Sequence, residues 1–160
     1  LLVEVLAREH ASALPYLHHI ATGPLSPLSS SLGEVIRFIV AGLVDSGLAG
    51  LHALGLQVGL RGALGPAYLS SVLEPSLQAL EARLERHVAH GDIDAQIFHD
   101  PRGLRVAALQ LLAPVLLAVL HQYELGGERC RALVIDDTLI DLHVAAFVRA
   151  WGTAHERSFV

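Results

Sequence analysis

The stretch Leu109 to Tyr123 reads LQLLAPVLLAVLHQY, and nearly every side chain in it is apolar. A surface helix keeps one polar face, so a helix apolar on all sides must be covered by something. Lipid, the remainder of the chain and a second copy of the chain are the available covers. A bilayer-spanning helix needs about 20 apolar residues to cross roughly 30 Å of hydrocarbon. The clean run here, Val106 to Leu120, is interrupted by Gln110 and closely bounded by Arg105 and His121. Protein rather than lipid is therefore the expected cover, and any fold of this chain must bury this helix.

The periodicity is helical elsewhere too. Apolar residues recur at spacings of three and four, and alternation over a strand's length is absent. This predicts an all-α fold, an antiparallel helical bundle of about six helices. The first helix covers residues 1–22, with Leu2, Leu6, His10, Ala13, Leu17 and Ile20 in one stripe and a kink expected near Ala11, ahead of Pro15. After the loop GPLSPLSS, the second helix is expected to start at Ser31-Leu32-Gly33-Glu34, which matches a capping box, and to end near Asp45. Residues 47–65 carry six glycines among leucines, which predicts a loose or short helix. Gly55 and Gly59 would permit a close helix crossing there. A fourth helix over residues 66–90 should bend at Pro75 and stop at Gly91. The fifth is capped by Asp100-Pro101 and runs to about Glu124. The sixth runs from about Asp136 to Gly152. Residues 1–152 read as one domain and 153–160 as a frayed tail.

Composition excludes several function classes. Of the 160 residues 52% are hydrophobic and only 17% charged, too greasy for a disordered chain. The net charge is −5, and all 11 basic residues are scattered arginines, whereas nucleic-acid binding needs a concentrated basic face. A single cysteine, Cys130, forms no internal disulfide, which fits a cytoplasmic location. Residues 1–20 carry Glu4, Arg8, Glu9 and His10 where a signal peptide would be apolar. There is no methionine, and the chain opens mid-pattern on LLVEVL, which reads as a segment that has lost upstream residues.

The polar residues suggest little catalysis. Ten histidines invite a metal reading, but there is no HExxH and no set of histidines and carboxylates with catalytic spacing. His87 and His90 are expected at an exposed helix end, as solvated or dipole-capping groups. No GxSxG, P-loop or GxGxxG motif is present. No catalytic residue, cofactor or metal is expected. Cys130 between Arg129 and Arg131 reads as a surface thiol, with a redox sensor as the alternative.

Taken in order, LEPSLQALEARLERHVAHGDI, HDPRGLRVAALQLLAPVLLAVL, a GG loop and DTLIDLHVAAFVRAW resemble the C-terminal regulatory domain of TetR-family transcriptional repressors. The resemblance covers residues 73–151, about half the chain. It rests on an amphipathic helix ending before Gly91-Asp92-Ile93, a long helix carrying Leu111-Leu112-Ala113-Pro114, and a last helix with Leu139, Ile140, Asp141, Val144 and Phe147 at family spacing. The resemblance implies a bacterial, cytoplasmic homodimer whose DNA-reading helix-turn-helix lies upstream of this chain. It implies a repressor that releases operator DNA when a small molecule binds the helical domain. It also implies that the last two long helices pair with their two-fold mates in a four-helix bundle. The interface would then use Leu109, Leu112, Leu116, Val119 and Tyr123 on the fifth helix, with Ile140, Val144, Phe147 and Val148 on the sixth. The pocket would lie between the first four helices and the base of the fifth. His10, Phe38, His52, Leu56, Tyr68 and Gln110 are the candidate ligand-binding residues, and the apolar surroundings suggest a hydrophobic or aromatic effector. Two alternatives stand beside this: a small helical metal-dependent enzyme using the histidines, and a helical interaction module without a pocket.

Overall fold

The computed structural model describes residues 2–45, 47–59, 65–129 and 134–160, save the side chains at 2, 3, 6, 9, 10, 48, 58, 59 and 128. The described residues are helical, with no named strand among them. In chain order the helices are α1 (Leu2–Thr22), α2 (Leu28–Asp45), α3 (Leu48–Gly59), α4 (Gly65–Tyr68), α5 (Glu74–His90), α6 (Gly103–Val119), α7 (Asp137–Trp151) and α8 (Ala154–Arg157).

Two π-helical turns extend this set. Leu69–Leu73 joins α4 to α5, and Leu120–Glu124 continues α6. The first lies just ahead of Pro75, which has no N–H for the carbonyl four residues back. The bend expected at Pro75 is thus taken up as a wider turn, a common way to absorb an interrupted ladder. The Ser76 hydroxyl donates to the Val72 carbonyl at 2.9 Å and satisfies one acceptor in that turn. α1 runs on through Pro15 as one helix.

α1 lies along α5, α5 along α6, and α2 packs on both α6 and α7. Their shared core holds Ile20, Leu32, Ile36, Leu80, Leu84, Leu111, Val144 and Val148. A smaller cluster of Leu43, Ala49 and Val119 joins α2, α3 and the end of α6. Arg37 of α2 bonds Asp137 and Asp141 of α7, and Arg105 of α6 pairs with Glu74 and Glu81 of α5. Gly91 closes α5 with φ 90°, a left-handed backbone that glycine adopts without strain. Gly103 opens α6 against the backbone of Ile97, where any Cβ would overlap the Ile97 carbonyl oxygen.

Three expectations are corrected. α2 begins at Leu28, so Ser31 is not its cap; Ser31 is fully buried and its amide already donates to the Pro27 carbonyl. Starting a turn early seats Leu28, which is also fully buried, in the core. The tail is docked rather than frayed. The Thr153 amide donates to the Asp92 carbonyl, the Asp94 amide donates to that of Trp151, and Glu156 of α8 is buried.

The third correction concerns the proposed interface line. Leu112, Val119, Ile140, Val144, Phe147 and Val148 are buried inside their own chain, and Leu116 is half-buried. Only Leu109 and Tyr123 of that set are exposed. A helix apolar on every side gives no periodic signal of which stripe turns inward, and α6 turns this one. Its exposed side carries Val106, Leu109, Ala113 and Leu117, and α7 exposes Leu142 and Ala146. By length and composition, Gly103–Glu124 could cross a bilayer, and half of its apolar window is buried inside the protein. Core helices of soluble proteins share that signature.

Candidate ligand-binding cavity

A cavity of about 450 Å³ lies among α1, α2, α3, the π turn before α5, and α6. This is within the usual size range of small-molecule sites. Its walls are largely apolar: Leu17 and Ile20 of α1, Ile39 and Leu43 of α2, and Leu112 and Leu116 of α6. The amphipathic stripe of α1 supplies one wall, and at Ile20 the same stripe enters the main core. Tyr16 and Phe38 stand with ring centroids 5.4 Å apart at one side, and His19 meets Phe38 at 5.3 Å. Exposed Asp45 and Ser12 lie at the rim.

Ser71 and Ser76 are half-buried in this wall, and His52 is its buried polar side chain, 6% exposed. His52 Nδ1 lies 2.6 Å from the Tyr68 hydroxyl, and the two rings meet edge to face. Gly55, one turn along α3, makes this possible: a Cβ there would overlap the Tyr68 ring. Burial pushes the imidazole down to about 4 and the Tyr68 phenol up to about 12, so both are neutral at physiological pH.

The six sequence candidates separate. Phe38 and His52 line the cavity. Tyr68 sits behind His52 as its partner. Leu56 is 44% exposed, and Gln110 is exposed on the other side of α6, accepting from Trp151 Nε1 at 2.6 Å. The side chain of His10 lies outside the described residues, as does Cys130. Leu112 and Leu116, expected at a subunit interface, instead form cavity wall.

A second polar cluster escaped the sequence reading because its members come from distant segments. Ser31 Oγ lies 2.8 Å from His87 Nε2, and His87 Nδ1 lies 2.6 Å from Asp92 Oδ2. The order serine–histidine–aspartate is that of a hydrolytic triad. Ser31 and His87 are both fully buried, however, and Ser31 Oγ accepts from Arg83 Nε and from a second Arg83 nitrogen. No substrate carbonyl reaches that oxygen. The cluster is a clamp: Arg83 also donates to the carbonyls of Ile20 and Pro24, and Arg86 to those of Ala21 and Gly23. Together the two arginines tie the C-terminal end of α1 to α5. Burial holds the His87 imidazole below its ordinary value, so it donates from Nδ1 to Asp92 and accepts the Ser31 hydroxyl at Nε2. His90, expected beside His87 on an exposed end, does stay exposed and bonds the other Asp92 oxygen.

Among the described residues no group of three or more histidines, cysteines, aspartates or glutamates is placed to hold a metal ion. The chain matches no protein-family model, no curated protein and no solved structure.

Proposed function

We propose that this chain is the ligand-sensing and dimerising domain of a TetR-like bacterial transcriptional repressor, which releases operator DNA when a hydrophobic small molecule enters the cavity. The observation that carries this reading is the apolar cavity of about 450 Å³ with α1 as one wall. On this reading α1 leads from the upstream helix-turn-helix to the sensor. Its C-terminal end is held by Arg83 and Arg86, while its middle, at Tyr16 and Leu17, borders the ligand space. A ligand that fits better with α1 displaced shifts the population toward that arrangement. Pro15, inside the helix at this level, is the proposed hinge.

The second part of the proposal is the homodimer. Leu117 is 64% exposed and Leu142 60%, on the two helices that the family resemblance assigns to dimerisation. A second copy laid across this face, with Val106, Leu109 and Ala146 around it, would cover what a monomer leaves wet. An isologous two-fold contact is the commonest way to do so. The dimer would hold two reading heads at half-sites roughly 34 Å apart.

The test is a titration of candidate effectors against operator binding by the longer protein that contains the upstream reading head. Loss of DNA affinity at saturating effector is expected. DNA affinity unchanged by every effector that occupies the cavity would dispose of the mechanism.

A further inference from the structure

Among the described residues, one ring nitrogen of His52 has no partner. Nδ1 is taken by the Tyr68 hydroxyl, and among the described residues nothing is placed to bond Nε2. Which nitrogen carries the proton follows from Tyr68. Its hydroxyl is buried, and a buried O–H must donate to an acceptor. The acceptor in place is Nδ1, at 2.6 Å. If Nδ1 were the donor, the phenol hydrogen would have no acceptor among the described residues. The tautomer is therefore the one with hydrogen on Nε2, and His52 offers the cavity an N–H donor.

Among the other polar groups of the wall, Ser76 Oγ is engaged with the Val72 carbonyl, half-buried Ser71 is already partnered, and Ser12, Tyr16 and Asp45 are exposed. No arginine is among the described lining residues, so an anionic ligand would meet Asp45 and no counter-ion. A cation would have to leave water for leucine and isoleucine walls beside the His52 N–H, with Asp45, the carboxylate among the described lining residues, out at the exposed rim. We propose that the cavity takes an uncharged, largely apolar molecule bearing a hydrogen-bond acceptor of the ketone, ester or lactone kind, and that His52 Nε2 donates to that acceptor. This rests on the ligand-binding reading above and adds the chemical class of the ligand to it.

The probes are a matched pair of uncharged fluorophores: dimethylaminonaphthyl ethyl ketone, and dimethylaminonaphthalene, which lacks the carbonyl. One hydrogen bond to a buried donor corresponds to about a tenfold preference for the ketone. His52→Phe should erase that preference and leave affinity for the carbonyl-free probe unchanged. His52→Gln, which keeps an N–H donor, should retain much of it. Tyr68→Phe frees the tautomer and should reduce it, which covers the case in which His52→Phe does not fold. In the wild-type protein the bound ketone's carbonyl stretch should fall below its value in alkane solvent.

The control is Gly42→Phe. Gly42 borders the cavity, and a Cβ built there meets no atom of the described residues within 4 Å, so the added ring can occupy the space. Equal affinity for both probes, or a ketone preference that survives His52→Phe, overturns the proposal; the ligand-binding reading stands if Gly42→Phe still blocks both. If neither probe binds, or Gly42→Phe binds both as well as wild type, the cavity is not a ligand site and both ideas fall.

Discussion

The protonation of His52 gives a stability effect whose size follows from the structure. The imidazole titrates near its ordinary 6.5 in the unfolded chain and near about 4 in the folded one, because burial disfavours its charged form. Between those values the unfolded chain binds more protons than the folded one, so stability falls as the pH falls through that window. Going from about pH 7.5 to about pH 5, this one group should remove about 2 kcal/mol, and about 3 kcal/mol by about pH 4. Carboxylates titrate near about 4, so stopping at about pH 5 keeps most of them out of the comparison. The assay is urea unfolding of wild type and His52→Gln at one protein concentration across that range. The buried His87 imidazole is also held low and should leave a residual slope in the variant. His90 has the opposite sign, because Asp92 raises it, so its stabilising contribution is present at low pH and lost as pH rises. The difference between the two slopes isolates His52. Equal slopes for wild type and variant would refute the burial of a neutral imidazole at this position.

Gly103→Ala should lower stability by about 2 kcal/mol or more, seen as a drop in Tm, because the added methyl meets the Ile97 backbone rather than a movable side chain. His87→Ala should cost about 3 kcal/mol in denaturant unfolding, since it removes buried bonds to Ser31 and to the Asp92 carboxylate together. A variant as stable as wild type would mean the clamp contributes nothing. Leu117→Arg should give a folded monomer by sedimentation velocity if a second copy covers that face, whereas Val119→Arg, at a fully buried site, should unfold the chain. A Leu117→Arg protein that sediments as wild type would remove the assigned interface.

Helix positions were the most legible part of the sequence, because apolar spacing, Gly91 and Asp136 are local signals that act locally. Asp136, for example, accepts from the Leu139 amide at 2.9 Å and starts α7 near the expected residue. Facing was legible only where a helix is amphipathic. The stripe Leu77, Leu80 and Leu84 of α5 is buried as expected. α6, apolar on every side, turned an unexpected line inward, and Leu112 and Leu116 became cavity wall. Ser31 looked like a cap because its neighbours fit a capping pattern, but a fully buried Leu28 draws the helix start back. The Ser31–His87–Asp92 clamp was invisible for a different reason: Ser31 lies 56 residues from His87, and no local spacing reports a tertiary contact. His52 stood out as a polar residue among apolar neighbours, and it borders the cavity, as does Phe38, which was assigned to the pocket through the family resemblance. Gln110 was assigned in the same way and lies elsewhere, bonded to Trp151.

The central claim is that the space beneath α1 is built for a small molecule, and the most direct measurement is the stoichiometry of probe binding. Titrating dimethylaminonaphthyl ethyl ketone into wild type should saturate at one molecule per chain, with emission shifted toward that in apolar solvent. Gly42→Phe, folded by circular dichroism, should show no saturable binding. Identical titrations of the two proteins, or no saturation in either, would contradict the account.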